Sequence, residues 1–83
     1  MEVSTKDECE TIEIKDLKTI KLTSFKSVLA GAITAKKFVV VYADLKEPEE
    51  ILRATFIAEI LSKKGYSCGA QIQNEEMVWN CKP

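Results

Sequence analysis

The sequence predicts a two-layer α/β (α+β) sandwich, in which two helices pack on one face of a mixed four-stranded sheet. Two observations carry this prediction. The elements follow one another in the order strand, helix, strand, helix, strand, strand (βαβαββ), and the last two strands read as a hairpin. Since strand–helix–strand crossovers are right-handed, both helices are expected on the same face. The chain of 83 residues suits a single domain.

The spacing of apolar residues changes between the first strand and the first helix. Apolar and polar residues alternate in TIEI, Thr11–Ile14, as in a half-buried strand. Apolar residues then recur at helical spacing between Phe25 and Ile33, and Thr23 or Ser24 is expected to cap the helix start.

A second strand and a second helix follow. The continuous apolar run FVVVYADL, residues 38–45, predicts a strand that is buried on both faces or central in its sheet. Pro48 suits the first turn of a helix that reaches about Lys64, and Gly65 is the expected left-handed stop.

The second helix is apolar around much of its circumference. Beside the stripe expected to face the sheet, it carries a second stripe formed by Leu52, Phe56 and Ile60. A helix on a two-layer sheet needs only one such stripe. The second is therefore expected either to lie under the neighbouring helix or to form a self-association or partner face.

The last segment predicts a β-hairpin. When the chain is folded about Asn74 and Glu75, apolar positions alternate in matching register on both arms, and Cys68 lies opposite Cys81. A disulfide can bridge cross-strand neighbours, so the pair is either a reversible dithiol or sulfur site, or two buried and inert thiols. A metal site would need two further ligands that the sequence does not offer, and no cofactor is predicted.

Composition limits the function classes. The net charge is −1 and there is no histidine, the commonest general base. Without a phosphate loop or nucleophile motif, an enzyme is not expected. Residues 1–10 are expected to form a flexible polar arm before a domain at 11–83. That start lacks the apolar core of a signal peptide, and no apolar run could cross a membrane, so a cytoplasmic protein without membrane contact is expected.

The segment TIEIKDL, followed by a helix and FVVVYAD, resembles the TusA/SirA family of sulfur-carrier proteins over residues 11–82. In that family the first strand leads into a CPxP motif, whose cysteine carries a persulfide. The same spacing places Thr19 at the cysteine, Ile20 and Leu22 at the prolines and Asp16 at the family's glycine. A hydroxyl cannot carry sulfane sulfur. The resemblance therefore implies the family's fold and docking surface without its relay step.

These observations predict a non-enzymatic TusA-like protein that acts as a protein-interaction or regulatory module, with a link to sulfur trafficking implied by the resemblance. A protein partner or self-association is expected. The candidate interaction residues are Lys18, Thr19, Lys21, Thr23, Ser24, Lys26, Leu52, Phe56 and Ile60.

Two alternatives remain open. A nucleic-acid-binding protein of Alba-like topology would use the lysines crowded into the first half of the chain, although the acidic balance does not favour it. A redox or sulfur-carrying protein would use Cys68 and Cys81.

Overall fold

The computed structural model describes residues 10–83, which form one four-stranded sheet and two helices. The predicted arm, residues 1–10, lies outside the described residues except for Glu10, whose carbonyl oxygen accepts a hydrogen bond from the Phe38 amide at 2.9 Å. The elements are β1 (Thr11–Ile14), α1 (Leu22–Ala35), β2 (Phe38–Asp44), α2 (Pro48–Lys63), β3 (Ser67–Gln73) and β4 (Glu76–Lys82).

The sheet has the strand order β1-β2-β4-β3. β1 and β2 are parallel, whereas β4 is antiparallel to both β2 and β3. The predicted mixed sheet and βαβαββ order are therefore confirmed. β2 lies in the interior of the sheet. Its apolar run predicted a strand that is either buried on both faces or central, and the second alternative is confirmed.

The core lies between the sheet and the helix layer. On β2, Val39, Val41 and Ala43 are fully buried, whereas the residues between them are only half-buried. Both helices pack on this one face, and they contribute Phe25, Leu29, Ala32, Ala54, Ile57, Ala58 and Leu61 to a single apolar cluster. The apolar composition of β2 reflects its central position, because its second face is not covered by a helix.

The helix boundaries confirm one expectation and correct another. Pro48 begins α2, and Gly65 follows its end with a positive φ of 97°, as predicted. α1, however, begins at Leu22 after Lys21 and has no side-chain cap. Thr23 and Ser24 were predicted to cap it, but they lie inside the first turn, where their hydroxyls are past the capping position.

The hairpin has the predicted turn and register. Asn74 and Glu75 have φ values of 52° and 62°, the left-handed pair of a two-residue type I′ turn. Cys68 lies directly opposite Cys81 on β4.

Candidate interaction surface

Arg53 of α2 holds the loop that connects β1 to α1. Its Nη1 donates to the carbonyl oxygens of Leu17 at 2.8 Å and Ile20 at 2.9 Å, and its Nη2 donates to Glu49 Oε2 at 3.1 Å. Leu17 is itself fully buried in the core. One planar guanidinium thus fixes both ends of a short loop to the second helix.

Thr19, which the predicted resemblance aligns with the persulfide cysteine, lies in a turn of this loop. Its amide and its hydroxyl both donate to the carbonyl oxygen of Asp16, at 3.0 and 2.9 Å. Asp16 has a φ of 54°, in the left-handed region that glycine adopts freely and aspartate more readily than most residues. Here the hydroxyl of Thr19 has a local structural role.

Lys18 links the same loop to the start of α2. Its Nζ lies 3.0 Å from Glu47 Oε1, and both side chains are partly exposed. The hydrogen bond to Glu47, followed by the negative charge of that carboxylate, raises the pKa of Lys18 above its ordinary value. This lysine is therefore already paired within the chain.

A groove runs between α1 and α2 on the outer side of the helix layer. Two hollows of about 220 and 400 Å³ compose it, and they are continuous because Lys26, Leu29 and Ile60 line both. Phe56 lines the smaller hollow and Ile33 the larger. We call this feature the interhelical groove. The lining side chains are mostly apolar, so it is suited to binding an apolar ligand or segment.

Large apolar side chains are exposed beside and within this groove. Phe56 is 52% exposed in its wall, and Leu52, one turn earlier on α2, is 71% exposed. Val28 is also exposed but does not line the groove. The second apolar stripe of α2 is therefore only partly covered by α1, and Ile60 alone of its three members packs against the core.

Two lysines give the groove its charge. Lys26 of α1 and Lys64, just after α2, both line the larger hollow. Within residues 10–83 neither has an ion-pair partner. The groove thus presents, around an apolar floor, two positive charges that no carboxylate of residues 10–83 pairs with.

The structure brings some of the predicted interaction residues together and separates others. Thr23, Lys26, Phe56 and Ile60 meet in the interhelical groove. The other predicted residues, Lys18, Thr19, Lys21, Ser24 and Leu52, do not line it.

Seven residues of the lining were not among the predicted interaction residues: Phe25, Leu29, Ala30, Ile33, Thr34, Ile57 and Lys64. For Ala30 and Thr34, the signal in the sequence was the small size of the side chains on the side of α1 away from its core stripe.

Half of the lysines between residues 10 and 41 are paired with carboxylates. There are six in that range, and the pairs are Lys15 with Glu13, Lys18 with Glu47 and Lys37 with Glu10. A phosphate backbone would have to compete with these carboxylates.

Cys68 and Cys81 are joined by a disulfide across β3 and β4, with their Cα atoms 4.1 Å apart. Cys81 is buried, and Cys68 Sγ lies 3.7 Å from the carbonyl oxygen of Ala58 on α2. The bridge therefore lies beneath α2, on the covered face of the sheet.

Neither a metal site nor a membrane span is found in the described part of the chain. Residues 10–83 contain no cluster of three or more potential metal-ligating side chains, and no helix there is long and apolar enough to cross a bilayer. The chain matches no protein-family model, no curated protein and no solved structure.

Proposed function

We propose that this chain is a non-enzymatic protein-interaction module, whose interhelical groove binds an apolar, acidic segment of another protein. One observation carries the proposal. Residues that the sequence marks as candidates on two separate helices, Thr23 and Lys26 on α1 and Phe56 and Ile60 on α2, line one continuous groove.

The apolar surface supplies the free energy for such binding. Phe56 leaves half of its surface in water, and covering a whole phenylalanine side chain is worth about 1.5–3 kcal/mol. A partly exposed aromatic residue in the wall of a groove is typical of an interface hot spot.

The charges determine the kind of partner. Lys26 and Lys64 have no carboxylate of their own chain among residues 10–83. Acidic residues beside the apolar anchors of a partner would pair with them. Two copies of this groove placed face to face would instead oppose like charges, so a segment of a different protein fits better.

The length of the groove suits a short helix. Its lining on α1 extends from Thr23 to Thr34, which corresponds to roughly 16 Å at 1.5 Å per residue. This length accommodates about three helical turns with apolar anchors at i, i+3 or i+4 and i+7.

The resemblance to the sulfur-carrier family extends the proposal to a partner in sulfur trafficking, in the cytoplasm. The left-handed backbone of Asp16, at the position of the family's glycine, is compatible with that resemblance. The sulfur link rests on the resemblance alone.

Photo-crosslinking tests the proposal. A benzophenone amino acid replaces Phe56 in the full chain, produced in the native cell, and the captured protein is identified and its affinity for the purified chain measured. Phe56→Asp is expected to weaken binding about 10- to 100-fold, the loss of about 1.4–2.7 kcal/mol of hot-spot contact.

Val28→Asp is the matched control, because Val28 is an exposed apolar residue of the helix layer outside the groove. It should leave the affinity unchanged. Equal loss in both variants, or no capture from position 56 above that from position 28, would refute the proposal.

The disulfide favours a second candidate function. Cys68 and Cys81 could exchange two electrons and two protons with a dithiol protein, cycling between bridge and thiols. Mild reduction followed by alkylation tests this: a redox protein must return to the bridged form with a disulfide donor, without unfolding.

A further inference from the structure

β3 forms a free edge of the sheet. In the strand order β1-β2-β4-β3 it pairs only with β4 within the described chain. Its seven residues, SCGAQIQ, contain no charged side chain and no proline. Proteins commonly protect such edges with lysines, prolines or bulges. β1, at the opposite edge, has only four residues and includes Glu13.

The hairpin fixes which backbone groups of β3 point outward. The two-residue turn makes Gln73 and Glu76 the closing hydrogen-bonded pair. Hydrogen-bonded and non-hydrogen-bonded pairs alternate along an antiparallel ladder, so Cys68, Ala70 and Ile72 do not bond to β4. The short distance of 4.1 Å between the Cα atoms of Cys68 and Cys81 agrees with this assignment. Three residues therefore present their amides and carbonyls to the outer edge.

We propose that β3 pairs antiparallel with β3 of a second copy of this chain, about a two-fold axis at Ala70. In that register Ala70 faces the partner's Ala70, and Cys68 faces the partner's Ile72. Both are hydrogen-bonded pairs, so all the outward backbone groups are satisfied and two sheets join into one of eight strands.

The side chains on the open face fit the same register. Gly69 would face the partner's Gln71, and a Cβ at Gly69 would have nothing within 4 Å. A hollow of about 390 Å³ lies there, and its lining includes Gly69 and Asn80, which are paired across β3 and β4. The partner's Gln71 can enter this hollow, and its carboxamide can hydrogen-bond with that of Asn80.

On the helix side the pairing covers exposed apolar surface. Ile72 is 68% exposed although it belongs to the face of the sheet that carries the helices. The proposed register places it beside the partner's Cys68. Because β3 carries no charged side chain, two copies of it meet without like-charge repulsion. The two-fold axis repeats each of the side-chain contacts described above on the other half of the interface. The hollow beside this edge shares no lining residue with the interhelical groove, so this inference does not depend on the proposed function.

Sedimentation equilibrium of the intact, oxidised chain tests the proposal. A species of twice the 9.3 kDa chain mass is expected at rising concentration. Ala70→Lys and Ala70→Glu should each weaken self-association by about tenfold or more, because like charges then face each other at the axis. An equimolar mixture of the two variants should restore the dimer through opposite charges.

Ser27→Lys, on the exposed outer side of α1, adds the same charge elsewhere and should leave the dimer intact. If Ala70→Lys unfolds, as circular dichroism would reveal, Ala70→Pro removes an outward amide instead and should also give monomers. A wild-type chain that stays monomeric throughout, a dimer that survives these variants, or a mixture that stays monomeric would overturn the proposal.

Discussion

The hydroxyl of Tyr66 donates a hydrogen bond to the carbonyl oxygen of Lys37 at 2.7 Å. The carbonyl oxygen of Ala32 lies 3.1 Å from the same hydroxyl. Tyr66 is buried just before β3, so its phenol ties the end of α1 and the start of β2 to the second half of the chain.

Tyr66→Phe is expected to lower the free energy of unfolding by about 1–2 kcal/mol, since it removes the donor to the partly buried carbonyl of Lys37. This loss of unfolding free energy is measured by urea unfolding followed by circular dichroism. Tyr42→Phe is the matched control. The hydroxyl of Tyr42 bonds an exposed carboxylate of Glu13 at 3.3 Å, so its loss should be under about 0.5 kcal/mol. Equal losses would contradict this account of Tyr66.

Alkaline pH should act through the same phenol. Burial raises the pKa of Tyr66 above its ordinary value. Above about pH 10 the unfolded tyrosine therefore loses its proton while the folded one keeps it, and stability falls as pH rises. Tyr66→Phe lacks this contribution, so the stability difference between the two proteins should shrink between about pH 9 and 11. A difference that stays constant would show that Tyr66 titrates alike in both states.

Arg53→Lys is expected to release the loop between β1 and α1. An ammonium cannot reproduce the planar fork that donates to the carbonyls of Leu17 and Ile20. We expect a loss of about 1–2 kcal/mol, since such bonds involve a charged donor. Hydrogen exchange of the Thr19 amide, which bonds to Asp16 within this loop, should become faster. Lys63→Gln, an exposed change on the same helix, should leave that exchange rate unchanged.

The hairpin and the interhelical groove differ in how far the sequence could predict them. The register that places Cys68 opposite Cys81 follows from a two-residue turn and an alternating pattern, both of which are local. The groove depends on how far apart two helices pack, which no local pattern encodes. The stripe Leu52, Phe56 and Ile60 was visible, but not that α1 would cover only its last member.

The contact between Arg53 and the loop shows a second limit of prediction from sequence. Arg53 bonds carbonyls that lie 36 and 33 positions earlier in the chain, and a lone arginine on a helix carries no signal of such a contact. The capping prediction for Thr23 and Ser24 failed for a related reason. With Lys21 extended and no side-chain cap, the start of α1 does not follow the local capping preference of Thr and Ser.

Removing the disulfide should destabilise the chain. Cys68 and Cys81 are 13 positions apart, and closing a loop of that size is worth about 3 kcal/mol through the unfolded state. The double variant Cys68→Ala, Cys81→Ala is expected to unfold at correspondingly lower urea concentration than the oxidised chain. Reducing agent should destabilise the wild type and leave the variant unaffected. If it affects neither protein, the bridge does not form in solution.

Glu75→Gly should stabilise the hairpin. Glu75 has a φ of 62° in the type I′ turn, a conformation that is unfavourable for glutamate by about 1–2 kcal/mol but free for glycine. Glycine also raises the conformational entropy of the unfolded chain, which offsets this gain by about 0.5–1 kcal/mol. The ion pair of Glu75 with Lys46 is exposed, so its loss amounts to at most about 0.5 kcal/mol.

Glu75→Gln serves as the reference, since it removes the charge and keeps the side chain. Against that reference the glycine variant should gain about 0.5 kcal/mol in urea unfolding, as expected for an Asn-Gly turn. A glycine variant that is less stable than the glutamine variant would mean that the left-handed pair is not the conformation of this turn in solution.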